Sequence, residues 1–205
     1  TVLELGAGNC SFAKHFSIYF PKLLVTDISQ NMLLSNESGL FPRVCCNMTA
    51  LPFKNKFDII YSTFDSVNYL TSRKKLLDMF KQVSGLLTDK GVFTFDASLE
   101  KNSLLHAKEP ERKGSYNGIK FKQKSEYDTV TKIHKNTFMI KLETGEIFSE
   151  MHKQKIFPFE TYFELLEQAG LLVKHCYTAF TYKDGSGESE RVQFITKRIR
   201  KNVDL

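Results

Sequence analysis

Val2-Leu3-Glu4-Leu5-Gly6-Ala7-Gly8-Asn9-Cys10-Ser11 reads as a short apolar strand that turns on two glycines and enters a helix through Phe12-Ala13-Lys14-His15-Phe16. A Gly-x-Gly turn between a strand and a helix lets a ligand meet bare backbone and the positive end of the helix. Glu4 stands two residues before Gly6, where a dinucleotide site carries a glycine or an apolar residue. Asp27 ends the next apolar strand, Leu23-Leu24-Val25-Thr26, the place for a carboxylate that accepts hydrogen bonds from ribose hydroxyls.

Outward from that turn, strands and helices alternate. Residues 2–5 predict the first strand, 11–20 a helix closed by Pro21, 22–27 a second strand, and 30–35 a short helix. Arg43 to Asn47 predicts a third strand, and Lys56 to Ser62 a fourth, apolar enough to be buried on both faces. Thr71-Ser72 opens a long helix with Leu76, Phe80, Val83 and Leu87 on one face. Asp89-Lys90-Gly91 reads as a turn into a fifth strand, Val92 to Ala97. Such alternation calls for right-handed crossovers and a parallel sheet, with ligands beyond the carboxyl ends of its strands.

The period then changes. Residues 98–113 read as polar loop with some helix. Residues 116–157 alternate with period two, predicting an antiparallel meander of three strands with turns at Asp128-Thr129 and Glu143-Thr144-Gly145-Glu146. One face of its second strand carries Phe138 and Ile140, followed by Leu142; the other carries Lys135, Thr137, Met139 and Lys141 and should meet solvent. Pro158 starts a helix with Tyr162, Leu165, Leu166 and Ala169 on one face and Gly170 at its end. Leu171 to Phe180 and Arg191 to Lys197 form a closing hairpin.

Glu4, Gly6-x-Gly8 and Asp27 together resemble the class I S-adenosylmethionine-dependent methyltransferases. The likeness continues in order through Asp27-Ile28-Ser29-Gln30-Asn31-Met32-Leu33, Asn47-Met48-Thr49-Ala50-Leu51-Pro52-Phe53, Phe57-Asp58-Ile59-Ile60-Tyr61-Ser62, and Leu86 to Asp96. Cys10 stands where the family often has a third glycine, and Asn47 where an aspartate is usual. The resemblance implies an α/β, Rossmann-like doubly wound sheet, mostly parallel, with a C-terminal antiparallel hairpin. Here the chain is a single domain, residues 1–205, and 116–157 an inserted antiparallel β cap. It implies S-adenosyl-L-methionine as cofactor. The backbone of Gly6, Ala7 and Gly8 would lie along its methionine part, and Glu4 would support that loop or the amino group. Asp27 would take the ribose hydroxyls, with Ile28 and Met32 against the adenine and Asn47 and Met48 at its edge. Thr63 and Phe64 open the loop after the fourth strand, which in similar enzymes faces both cofactor and acceptor. Tyr69 holds the position of a catalytic residue there, where it could hydrogen-bond an amine or hydroxyl; an aromatic lid or core role is the plainer reading of the same residue. Similar enzymes also carry a helical segment before the first strand, so the 205 residues are expected to leave one side of the crevice open and to bind cofactor weakly.

The implied reaction is direct displacement of a methyl group onto an amine or hydroxyl of a small molecule, requiring no metal. An RNA or protein methyltransferase and a non-catalytic S-adenosylmethionine-binding module stay open. A nicotinamide dehydrogenase would need glycine at position 11, where Ser11 stands. The net charge of +6 gathers in Lys120 to Lys124, Lys132 to Lys141 and the tail Lys197 to Lys201, without a recognised RNA-binding motif. No apolar run reaches the roughly 20 residues that span a bilayer. Cys10, Cys45, Cys46 and Cys176 show no metal or disulfide spacing and read as buried free thiols in a reducing, cytoplasmic setting. His134 and His152 read as exposed meander residues. The meander is expected either to cap the acceptor side of a monomer or to form a homodimer surface.

Overall fold

The structure, a computed structural model, describes residues 1–35 and 39–199. The first half runs β1 (Val2–Leu5), α1 (Ser11–Phe16), β2 (Leu23–Asp27), α2 (Gln30–Leu34), β3 (Arg43–Cys45), β4 (Phe57–Ser62), a 3-10 turn (Ser66–Tyr69), α3 (Arg73–Leu86) and β5 (Leu87–Ser98). After α4 (Glu100–Lys108) come β6 (Glu111–Tyr116), β7 (Ile119–Asp128), β8 (Ile133–Lys141) and β9 (Ile147–Lys155). The chain then returns through α5 (Phe159–Gln168), β10 (Leu171–Thr178) and β11 (Arg191–Arg198). The main sheet has seven strands in the order β10-β11-β5-β4-β1-β2-β3. β1 to β5 pair in parallel, and β11 runs antiparallel to both β5 and β10. Strand order reverses beside β1, so a crevice opens above the carboxyl ends of β1 and β4.

The period of two along β1 decides which layer each side chain enters. Val2 packs with Cys10, Ala13, Leu23, Val25, Leu33 and Tyr61 under α1 and α2. Leu3 and Leu5 face the other layer, where Ile60, Leu76, Phe80, Val83, Tyr162 and Leu166 meet under α3 and α5. In that layer Phe95 lies between Phe93 and Phe194, both ring pairs stacked at 4.9 Å. α3 begins where the Ser72 hydroxyl accepts the Lys75 N–H, as its sequence predicts.

β6 to β9 form a separate four-stranded antiparallel sheet, paired in chain order. The expected three strands are therefore four: Glu111–Tyr116, whose first residues 111–113 read as loop, pairs along β7. That stretch, Glu-Arg-Lys-Gly-Ser-Tyr, has no apolar alternation to announce it, and the Phe121 ring covers the bare face of Gly114. Two further boundaries move. α1 ends at Phe16, and β5 begins at Leu87 and runs through the expected turn at Asp89-Lys90-Gly91, since Leu87 already pairs with Phe57. The outward face of β8 carries Lys135, Met139 and Lys141, exposed as the alternation predicts, and Thr137, which is part-buried instead. Of the four cysteines only Cys10 is buried; Cys45 is exposed at the edge strand. The last part of the basic tail, from Arg200, lies outside the described residues.

Candidate active site

The first turn is built by backbone geometry. Gly6 and Gly8 have φ of 69° and 53°, in the left-handed region that glycine enters without strain. A Cβ on Gly6 would also lie 2.9 Å from the Cβ of Ser66, so the loop after β4 presses directly on this turn. The Ser66 hydroxyl donates to the Gly6 carbonyl at 3.2 Å and to the Thr63 carbonyl at 2.7 Å. Met48 and Met32 end near Gly6 and Gly8, their methyls 3.3 and 3.6 Å from where a Cβ would stand. Cys10 is left-handed too, at φ 61°, just before α1. The position conventionally filled by a third glycine thus keeps the glycine-like backbone with a cysteine on it.

The Ala7 N–H reaches the Thr26 carbonyl at 2.9 Å, and the Gly8 N–H reaches Asp27 Oδ2 at 2.8 Å. Asp27 Oδ1 accepts the Ser29 N–H at 2.8 Å. The acid at the end of β2 is thereby fixed beside the glycine turn. Each of its oxygens keeps a lone pair for another donor. Next to it Ile28 is 71% exposed and Met32 45% exposed, so neither is a core residue. Asn47 Oδ1 is taken by the backbone N–H and hydroxyl of its neighbour Thr49, at 3.0 and 2.9 Å.

Glu4 points into the α1 layer and is buried. It is level with Tyr61 on the adjacent parallel strand, and the Tyr61 hydroxyl donates to Glu4 Oε2 at 3.0 Å. Burial raises the Glu4 pKa to about 7; the Tyr61 bond opposes this and the Asp27 charge adds to it. The same burial and the Glu4 charge raise the Tyr61 phenol.

Beyond β4 the chain bends sharply. Phe64 and Asp65 are both left-handed, at φ 57° and 48°, strain that a non-glycine pair keeps only when its surroundings hold it. The Asp65 N–H donates to Asp96 Oδ2 at 2.9 Å, and Arg191 bridges the two acids, 2.7 Å to Asp96 and 3.0 Å to Asp65. Burial raises the Asp96 pKa against the pull of Arg191. This bracing leaves Phe64 standing 64% exposed, its ring edge-on to Phe12. On its outer side a cleft of about 700 Å3 is lined by Phe64, Asn102, Thr178, Phe180, Ser189 and Arg191.

The 3-10 turn that follows joins the two sheets. Asn68 is fully buried: it donates to the carbonyls of Ser98 at 3.1 Å and Lys155 at 2.9 Å, and accepts the Ser98 N–H at 3.0 Å. Tyr69 stays half-exposed and meets His152 of β9, its hydroxyl 2.9 Å from Nδ1. His152 Nε2 lies 3.4 Å from Glu150. Neither meridian histidine of the second sheet is a free surface residue. His152 is half-buried, and His134 is buried with Nδ1 2.8 Å from the Ser103 hydroxyl. Both are expected exposed from sequence; their partners lie 83 residues away for His152 and 31 for His134, the latter in a stretch that reads as polar loop with some helix.

A methyltransferase-domain family model matches residues 2–91, the span that builds this turn and crevice. The Bacillus subtilis protein YqeM, named as a methyltransferase, is 29% identical over 156 residues, covering 72% of this chain and 61% of YqeM. Residues 2–91 are similar to the methyltransferase-domain family. The match with YqeM spans less than two thirds of that relative's length. Among solved structures, an S-adenosylmethionine-dependent methyltransferase of Clostridium acetobutylicum superposes with a TM-score of 0.84 at 21% identity, over 96% of this chain and 83% of the other. The sugar N-methyltransferase KedS8 of Streptoalloteichus superposes at 0.75 with 18% identity, over 97% and 80%. At these identities the likeness speaks for the fold.

S-adenosylmethionine, the methyl donor of such proteins, fits the residues around this turn. A nucleoside needs a carboxylate with open lone pairs for its ribose and an apolar surface for its base. Asp27 has the first, and the exposed Ile28 and Met32 beside it offer the second. Glu4 sits below the turn, bonded to Tyr61 rather than to the glycine backbone. Ser66, Asn68, Asp96 and Arg191 escaped the sequence reading, and His152 reads there as exposed. Each acts through a contact with a distant segment, and no local pattern marks it.

Proposed function

We propose that this chain transfers a methyl group from S-adenosyl-L-methionine to an amine or hydroxyl of a small molecule by direct displacement. The observation that carries the reading is the clamp between the Gly8 N–H and Asp27, at 2.8 Å, with exposed Ile28 and Met32 beside it. The bound donor supplies an already activated methyl group. What the chain contributes is position and a dry, ordered approach. Asp27 takes the ribose hydroxyls, Ile28 and Met32 the adenine face, and Met48 with the Asn47 amide its edge. Gly6, Ala7 and Gly8 let the amino-acid part lie against the backbone, with Glu4 beneath it, while Thr63 and Phe64 form the wall towards the acceptor.

Tyr69 is the residue that meets the acceptor, and the cleft beside Phe64 gives room for the acceptor's body. Residues 116–157 act as a cap on that side within a single 1–205 domain. The inward Phe138 ring lies 5.5 Å from His152, the partner of Tyr69, which supports a cap over a dimer surface. Sugar N-methyltransferases such as KedS8 among the fold neighbours agree with a small acceptor. Free cysteines agree with the cytoplasm. Among the described residues no helix is long and apolar enough to cross a membrane.

Thermal unfolding tests the reading. S-adenosylmethionine or its demethylated product at 100 times its dissociation constant adds about 2.7 kcal/mol and raises the melting temperature. NAD at the same concentration leaves it unchanged. A shift with NAD and none with the other two refutes the assignment.

A further inference from the structure

Tyr69, His152 and Glu150 stand in a line that neither sheet could build alone. Tyr69 comes from the turn after β4; His152 and Glu150 come from β9, two residues apart and therefore on one face of the second sheet. The two contacts are 2.9 Å, from the Tyr69 hydroxyl to His152 Nδ1, and 3.4 Å, from His152 Nε2 to a Glu150 oxygen. A carboxylate can only accept, which favours the tautomer with the imidazole proton on Nε2, facing Glu150. Nδ1 is then an acceptor, and the Tyr69 O–H must donate to it. The phenol oxygen keeps its lone pairs for an incoming donor.

The charges that act on Tyr69 are all negative. Burial first, then Asp65, Glu150 and Asp27, push its pKa up to about 12. Asp65 and Asp27 belong to the first half of the chain, Glu150 to the second sheet. The groups around His152 are Glu150 on its own strand, Tyr69 on the loop after β4, and neutral Asn136 and Phe138 on β8. Lysines 135 and 153 lie on the opposite face. A protonated phenol among carboxylates suits a cationic or N–H-bearing guest and repels an anionic one.

We propose that the second sheet supplies a proton outlet, through His152 and Glu150 acting on Tyr69, that selects an amine as the methyl acceptor. This rests on the placement of Tyr69 at the acceptor. An ammonium N–H donates to the Tyr69 oxygen while the Tyr69 O–H passes its proton to His152 Nδ1. The amine is left with its lone pair, and His152 becomes an imidazolium beside Glu150. The nitrogen lone pair then forms the new N–C bond as the carbon–sulfur bond breaks, its electron pair staying on sulfur. The methylated product leaves as an ammonium ion. The proton on His152 leaves to solvent past Glu150, which is 66% exposed at its side chain. Tyr69 is the catalytic residue in this scheme, and His152 and Glu150 are positioning residues.

Nitrogen-15 NMR of the histidine rings in the full chain tests it without an acceptor in hand. His152 is expected as the Nε2–H tautomer, and the Glu150→Gln variant is expected to move it towards the Nδ1–H tautomer while leaving the fold and S-adenosylhomocysteine binding unchanged. With S-adenosylhomocysteine bound, n-butylamine should move the Tyr69 and His152 ring signals and bind about tenfold more tightly than n-butanol. The Nδ1–H tautomer, or equal affinity for butylamine and butanol, overturns the proposal. If S-adenosylhomocysteine itself does not bind, it is the methyltransferase reading that fails, and the tautomer still reports on the relay by itself.

Discussion

Glu4 carries an acid into a layer otherwise filled by Val2, Cys10 and Val25, and its proton has a thermodynamic consequence. Its pKa is about 7 in the folded chain against an ordinary 4.5. Between those values the folded state binds the extra proton at Glu4, so the contribution of Glu4 to stability falls as pH rises across pH 4.5 to 7 and is constant outside that window. The gap corresponds to about 3 kcal/mol. The Glu4→Gln variant keeps an acceptor for Tyr61 and should abolish this slope, making the variant the more stable of the two at pH 8. Urea unfolding at pH 5 and pH 8 measures it; parallel slopes in both proteins would show that Glu4 is not the titrating group. The acid itself was legible in sequence because it interrupts an apolar strand before a glycine turn. Its partner Tyr61 was not, since only the parallel register of β1 and β4 makes them neighbours.

At the scale of elements, the 3-10 turn Ser66–Tyr69 holds the two sheets together. Asn68 satisfies three backbone groups at the ends of β5 and β9 from a fully buried position. Asn68→Leu leaves those groups without partners, each lost bond to a buried group costing about 1–3 kcal/mol. Stability should drop by several kcal/mol, with amide exchange rising first along β9 and at Ser98. Exchange confined to α1 and α2 instead would place the coupling elsewhere. The alternating elements of the first half were readable because each hydrophobic stripe has the period of one structure. β6 was not, because Glu111 to Tyr116 presents mostly polar residues and takes its order from β7. The length of β5 was misread for a related reason: Asp89, Lys90 and Gly91 favour a turn locally, and pairing with β4 overrides them.

For the whole molecule, the parallel core and the second sheet are separable in energy as well as in pattern. The two main clusters of buried side chains draw on β1, β2, β4, β5, α1 to α3, α5 and the closing hairpin, with none from β6 to β9. Replacing residues 118–155 by a short linker should leave S-adenosylhomocysteine binding largely intact and abolish turnover. Loss of cooperative unfolding in that deletion would show instead that the second sheet belongs to the core.

If Asp27 and the glycine turn hold the nucleoside, calorimetric titration with S-adenosylhomocysteine reads the loss of that site. The Asp27→Ala variant should bind more weakly by roughly 1–3 kcal/mol, about 5- to 150-fold in dissociation constant, through loss of charge-assisted bonds to the ribose. The Asp27→Asn variant, which keeps the shape and one acceptor oxygen, should fall between it and the wild type. Equal affinity in all three proteins would contradict the account.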